Sequence, residues 1–372
     1  MPPLDSPPQI DDMLSAAPLD NPPSARIAGA GPGDGGPSNA ASEVLRAARS
    51  ALTAPDSTTL RFPTDNPPPP RAAKLRNWLT PRLALPAGPL ANRTPGTGAL
   101  MYHRFADPVS GLPEPTWNVP PALLRTQLAG LLSRGYRAVR LEEVLDRIAA
   151  GEPADPKSFV VTIDDGYLNN LTQGLPIFEE LRVPVTLFVA TGYVGTPCPY
   201  PFDDWAGKGH PHAPRESWAA MNRGELRRFA ESEFVSLGVH THTHQDFRGR
   251  PDLFAADLAE SCRVLRSGFG IERPAFAFPY GTRQRGFSGG ELKAAVARTP
   301  VSCALTTEDE RIRADSDRFD LGRFTATSAD TAATLAAKLD GRFGALKRAL
   351  HRNHRSTPTA STAAAKPCGG RS

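Results

Sequence analysis

The chain has 372 residues, 40% of them hydrophobic, with 43 basic against 39 acidic side chains for a formal charge of +4. That near-balance, with no Lys/Arg-rich block and no zinc-finger or RNA-binding aromatic signature, argues against nucleic acid as a partner. No apolar run approaches the roughly 18 residues of a transmembrane segment. Cys198, Cys262, Cys303 and Cys368 form no CxxC pair, so they offer neither a disulfide framework nor a structural zinc site.

The first elements in chain order are not elements at all. Of the 39 prolines, 19 fall within residues 1–97, which also hold Pro67–Pro70 and the Gly/Pro/Ala-rich run Ala28–Ala41. Such a segment buries too little apolar surface to offset its ordering entropy, so residues 1–97 are expected to be a mostly disordered extension. Ser42–Leu52 and Ala72–Leu79 read as short helical islands within it, too short to be stable alone. The opening MPPLDSPPQIDD has neither a basic n-region nor an apolar h-region, so no secretory signal is visible and the sequence by itself reads as cytoplasmic.

From Gly98 the texture changes. Strand-length apolar runs occur at Ala99–Tyr102, Phe159–Ile163, Val185–Ala190, Phe234–Val239, Ala275–Phe278 and Val301–Leu305, with Tyr136–Val139 as a further one. They are continuous rather than alternating, as strands buried on both faces of a parallel sheet require. Between them run helical patterns at Pro120–Ser133, Leu141–Ala149, Asn170–Leu181, Gly224–Glu231, Asp252–Ser267 and Gly290–Ala297. A last amphipathic helix is expected from Asp330 to about Leu350, then a flexible tail over residues 351–372. Alternating β and α units imply an α/β fold, its parallel sheet open or closed into a barrel. Residues 195–220 break the rhythm with five prolines plus Trp205 and Trp218, and read as a long ordered loop.

Four short words carry the chemistry. In TIDDGY (Thr162–Tyr167), two carboxylates sit side by side at the end of a strand, an arrangement that is costly without a cation. A metal resolves it: one Asp binds and the other is left as a base. The bland alternative is an Asp-Asp-Gly turn capping the next helix. In HTHTH (His240–His244), the i, i+4 pair His240 and His244 shares one face of a helical turn and suits a compact metal site, although a solvated surface pair has the same spacing. His242 points away and reads as a bystander. FAFPYG (Phe276–Gly281) ends a strand in a bend that can aim the Tyr280 backbone N–H at a developing oxyanion. MYH (Met101–His103) places His103 at a strand end near the same rim.

Together these words resemble the polysaccharide deacetylases, the NodB-homology domain of carbohydrate esterase family 4, over about residues 98–330. TIDDGY is similar to that family's T-F-D-D-G, HTHTH matches H-[ST]-x-[ST]-H, and PYG matches its third word. The resemblance implies a distorted (β/α)7-type barrel across a domain at residues 98–350, with a divalent metal at the strands' C-terminal ends. It makes Asp164 the catalytic base, Asp165, His240 and His244 the metal ligands, and the Tyr280 N–H an oxyanion donor. Two departures stand out. The family's third word often carries an Arg that orients the base, and here that position is Ala277. The usual late L-x-x-H acid is absent. MYHRFADP is similar to the opening word of a poly-N-acetylglucosamine deacetylase subgroup whose acid His comes first, which makes His103 the candidate acid.

The reaction so implied is metal-dependent removal of N-acetyl groups from an amino-sugar polymer, such as an exopolysaccharide or cell-wall glycan. Zinc is the default ion by ligand type, with cobalt and nickel fitting the same donors. Two other readings stay open: a carbohydrate-binding pseudoenzyme, and the same metal chemistry on another acetamide, an acetyl ester or an amidine. The family mostly acts outside the cytoplasm, against the missing export signal. The sequence sets no oligomeric state.

Overall fold

A computed structural model of the chain describes residue 61, residues 96–205 and residues 210–342. The expected extension, apart from Arg61, Gly96 and Thr97, lies outside the described residues, as do its helical islands and the tail over 351–372. Strands and helices alternate: β1 (Gly98–Tyr102), α1 (Pro121–Leu132), β2 (Arg137–Ala138), α2 (Leu141–Ala149), β3 (Ser158–Asp165), α3 (Leu175–Leu181), β4 (Val185–Val189), α4 (Arg223–Ala230), β5 (Val235–Val239), α5 (Pro251–Phe269), β6 (Phe276–Ala277), α6 (Gly290–Val296), β7 (Ala304–Leu305), β8 (Phe324–Thr325) and α7 (Ala332–Leu339).

Local chemistry sets the boundaries. Pro121 opens α1, where its missing N–H costs nothing. Asn222 and Glu225 close a capping box on α4, and Gly270 ends α5 at φ 69°, a conformation that favours glycine. The helical run Asn170–Leu181 divides into a π-turn at Asn170–Gly174 followed by α3. Pro176 cannot donate to the turn before it. A Cβ at Gly174 would also lie 2.8 Å from Phe105 Cδ2, so chain and ring meet closely there. The last expected helix begins as α7, and the end of its pattern, residues 343–350, lies outside the described residues; β8, only two residues long, has no apolar run of its own.

Every pairing between strands is parallel, in the order β7-β6-β5-β4-β3-β1-β8, with β2 attached to β3 beside this path. Leu305 bridges Leu321, just ahead of β8, so the two ends of the seven-strand path meet and the eight-stranded sheet curls into the expected barrel-like form. The strand period of two divides the core. Leu100, Tyr102, Phe159, Val161 and Ile163 pack outward with Leu124 and Leu128 of α1. Ala99, Val160, Phe188, Ala277, Leu305 and Leu321 pack on one another inside the curl. Each large side chain so buried contributes about 1.5–3 kcal/mol. On that inner face Thr162 and Asp164 follow Val160 toward the C-terminal rim. At the closing seam the buried Lys338 ammonium bonds Asp330 Oδ2 (2.7 Å) and the Thr325 carbonyl (2.8 Å), tying α7 to β8.

Candidate active site

Because all strands run the same way, their C-terminal ends share one rim, and the four words meet there. Tyr102 pairs with Ile163, which sets His103 level with Asp164. Asp164 and Asp165 pair with Phe188 and Val189, and His240 follows Val239 directly at the end of β5. Six non-glycine residues have positive φ among the described residues: Trp117, Asp165, Arg182, Thr241, His244 and Tyr280. All but Arg182, a helix cap, belong to the site or touch it. Such conformations cost of order 1–3 kcal/mol each and persist only where the surroundings fix them, so the strain is concentrated where the chemistry is.

Asp165, His240 and His244 bring one ligand atom each to within 4.8 Å of one another, all three side chains buried. Asp165 Oδ1 lies 3.7 Å from His240 Nε2 and 3.5 Å from His244 Nε2, and this buried oxygen has no hydrogen-bond partner. An orphaned carboxylate oxygen facing two imidazole nitrogens is the arrangement a divalent cation completes. The rings are oriented from behind. His240 Nδ1 donates to the Ala277 carbonyl (2.8 Å), which leaves Nε2 as a bare lone pair. The Tyr280 hydroxyl donates to the His244 carbonyl (3.2 Å) and so accepts from His244 Nδ1 (3.0 Å). Burial holds both imidazoles below their usual pKa, with His240 adding to the effect on His244, so both are neutral and ready to ligate. The histidines meet differently from the sequence expectation. They sit on a left-handed turn, with φ 63° at Thr241 and 51° at His244, rather than on one face of a helical turn.

Asp164 is held apart from its neighbour by a residue that sequence reasoning missed. Arg323 is fully buried and rises through the barrel interior. Its Nη1 and Nη2 donate to Asp164 Oδ1 (2.6 Å) and Oδ2 (2.9 Å), Nη1 also to Thr162 Oγ1 (3.1 Å), and Nε to the Thr306 carbonyl (3.1 Å). A guanidinium thus orients Asp164 even though Ala277 supplies none, and it arrives from the β8 side of the barrel rather than from β6. Gly322 permits the approach: a Cβ there would stand 2.7 Å from the Glu308 and Glu310 carbonyl oxygens. Burial works to raise the Asp164 carboxyl, but Arg323, helped by His240 and His103, holds it down at about 2. Asp165 goes the other way, raised by burial and then by the charge of Asp164. The two adjacent carboxyls are thus pushed in opposite directions.

His103 Nε2 lies 3.9 Å from Asp164 Oδ2. Burial pushes its ring down to about 4, against the pull of Asp164. Trp117 stacks on it at 5.8 Å and 20°. The Tyr280 N–H finds no acceptor among the described residues, as an oxyanion donor requires. His242 turns away from the cluster and bonds Thr191 Oγ1 through Nδ1 (2.9 Å). The described parts of the 195–220 loop form one wall. Phe202 stacks on the His244 ring at 3.9 Å, and the Tyr200 hydroxyl donates to the Asp165 carbonyl (3.1 Å). Asp203 is paired with the buried Arg104 next to His103, and accepts from the Tyr167 hydroxyl (2.7 Å). Trp205 is buried in the core, whereas Trp218 is half-buried.

Residues 151–294 match the family model described as polysaccharide deacetylase. Over that segment, 144 of its 372 residues, the chain is similar to the polysaccharide deacetylases. Among curated relatives, the poly-β-1,6-N-acetyl-D-glucosamine N-deacetylase of Escherichia coli K12 is 28% identical over 146 residues, which are 39% of this chain and 20% of that protein. The chain therefore matches only about a fifth of that relative's length. Among solved folds, IcaB from Ammonifex degensii superposes with a TM-score of 0.53 at 23% identity, over 66% of this chain and 97% of that one. The Streptococcus pyogenes deacetylase PplD, solved with acetate, does so at 0.54 and 20% identity, over 66% and 99%. The barrel-like sheet is thus the polysaccharide deacetylase fold. The matched segment contains TIDDGY, HTHTH and FAFPYG, while His103 and Arg323 lie outside it and reach the rim by the fold alone. No helix among the described residues is long and apolar enough to cross a membrane.

Proposed function

We propose that this chain is a metal-dependent hydrolase that removes N-acetyl groups from an amino-sugar polymer, cleaving a carbon–nitrogen bond other than a peptide bond. The observation that carries the reading is the position of Asp164. Clamped by Arg323, its Oδ2 stands 3.8 Å from His240 Nε2 on the ligand side and 3.9 Å from His103 Nε2 on the other. Asp165, His240 and His244 would hold the ion, with zinc the first choice for two imidazoles and a carboxylate, and cobalt or nickel suited to the same donors. When bound, it supplies Lewis acidity that polarises a carbonyl oxygen and acidifies water.

The protein's own groups supply the rest. Asp164 accepts the proton of the attacking water. The Tyr280 N–H donates to the oxyanion that forms on the acetyl carbonyl. His103 gives a proton to the departing amine nitrogen as the carbon–nitrogen bond breaks, releasing acetate. The proton held by Asp164 then resets His103 across the gap between them. The polymer named for the E. coli relative, poly-β-1,6-N-acetyl-D-glucosamine, is the first substrate to test.

Full-length protein loaded with zinc is expected to deacetylate N-acetylglucosamine oligomers and to stop in excess chelator. Asp164→Asn should lower kcat/KM about 10²–10⁴-fold while zinc stoichiometry holds. Wild-type turnover by the folded, zinc-bearing variant would remove Asp164 as the base. His103→Gln is expected to lower kcat by a similar factor with KM little changed. A wild-type kcat for that variant would return His103 to a packing role, and turnover undiminished in chelator would remove the metal.

A further inference from the structure

The outer histidines of the H-T-H-T-H word face the site, but its middle faces the opposite way, onto α5. There Asp257 is fully buried on the helix's inner side. Its Oδ1 accepts from the His242 N–H (2.5 Å), its two oxygens lie 3.3 and 3.2 Å from the Thr243 nitrogen, and Oδ2 accepts from the Thr243 hydroxyl (2.5 Å). One helical turn on, the Ser261 hydroxyl donates to the Thr241 carbonyl (3.1 Å) and accepts from Thr191 Oγ1 (3.0 Å), the same hydroxyl that meets His242 Nδ1. Gly192 closes the other side: its N–H donates to the His242 carbonyl (2.8 Å), and a Cβ there would stand 2.6 Å from that oxygen.

This grip answers a specific problem. Thr241 and His244 hold left-handed φ without being glycine, so the turn does not keep that shape unaided. A carboxylate accepting several hydrogen bonds from consecutive residues is a strong and directional restraint. We propose that Asp257 is a positioning residue for the metal centre, fixing through the His242–Thr243 backbone the separation of the His240 and His244 nitrogens. It touches neither ligand ring, and acts only through the turn. The assignment rests on the metal-centre reading given under Proposed function.

The test is zinc affinity, measured on the full chain by competition with a chromophoric chelator, with unfolding of the chelated protein followed on the same samples. Asp257→Ala is expected to bind zinc about 10- to 100-fold more weakly, the loss typical when a residue behind the ligands is removed. Asp257→Asn keeps the volume and one acceptor oxygen and should show a smaller loss; it carries the test alone if the alanine variant does not fold. Ser261→Ala should weaken binding too. If folded Asp257→Asn binds zinc as tightly as wild type, the positioning role is overturned, even if its metal-free stability has dropped. If the wild type itself takes up no zinc, the metal-centre reading fails instead.

Discussion

Replacing Arg323 by Met is expected to remove both activity and several kcal/mol of stability, and adding Asp164→Asn to the same chain is expected to restore only the stability. Arg323 and Asp164 are 0% and 2% exposed at their side chains and share two short hydrogen bonds. Removing one partner of such a buried pair leaves an uncompensated charge and costs about 3–5 kcal/mol, whereas replacing both is often near neutral. In the single variant the freed carboxylate also loses its aim at the attacking water, and misplacement by about 1 Å is enough for a 10²-fold loss of rate. Arg323→Lys should fall between, because an ammonium cannot make the two parallel bonds. Urea midpoints at constant m-value, with deacetylation rates on the same preparations, complete the cycle. A folded Arg323→Met chain within about 1 kcal/mol of wild type, or strictly additive effects in the double variant, would show that the pair is not what aims the base.

That Arg323 was invisible in the sequence, while Asp164 was plain, has a physical reason. Strands β1, β3, β4 and β5 are packed on both faces, so their residues form continuous apolar runs that can be read directly. Strand β8 pairs through only two residues, Phe324 and Thr325, and leaves no such run. Arg323 precedes it at a low level of the barrel and reaches Asp164 by the length of its side chain, past Thr162. Its one local sign is Gly322, small where two carbonyls crowd the backbone. Spacing misled in a different way at HTHTH. An i, i+4 pair is brought together by a helical turn, but equally by the left-handed turn that His240–His244 adopts. Asp257 was hidden because a carboxylate within an amphipathic helix reads as solvent-facing, and only the fold shows that it faces a strained turn. Tyr280 was singled out for its N–H alone, yet its hydroxyl also orients the His244 ring.

The metal-free site stores a cost that one conservative substitution should release. Asp165 is buried beside a second carboxylate, its Oδ1 has no partner, and its backbone sits at φ 74°. In the absence of a cation, Arg104 and Arg323 offset that buried charge only in part, and the carboxyl stays well above its usual range. Asp165→Asn removes the charge, keeps the shape, and adopts the left-handed conformation at least as readily. Under chelation the variant is expected to be more stable than wild type by about 1–3 kcal/mol, the range for one relieved buried polar group. For a domain of this size that corresponds to a melting temperature higher by about 2–4 °C per kcal/mol. Zinc should then reverse the order. At one hundred times its dissociation constant it stabilises the wild type by about 2.7 kcal/mol, and it should leave the variant, short of one ligand, nearly unmoved. The site would thus be less stable empty than its inactive copy, as expected where ligands are held in place before the ion arrives. Thermal melts of both proteins, with chelator and with zinc, decide it. A variant that melts below wild type in chelator would mean that Asp165 stores no such cost, and one that gains the same shift from zinc would mean that it is not a ligand.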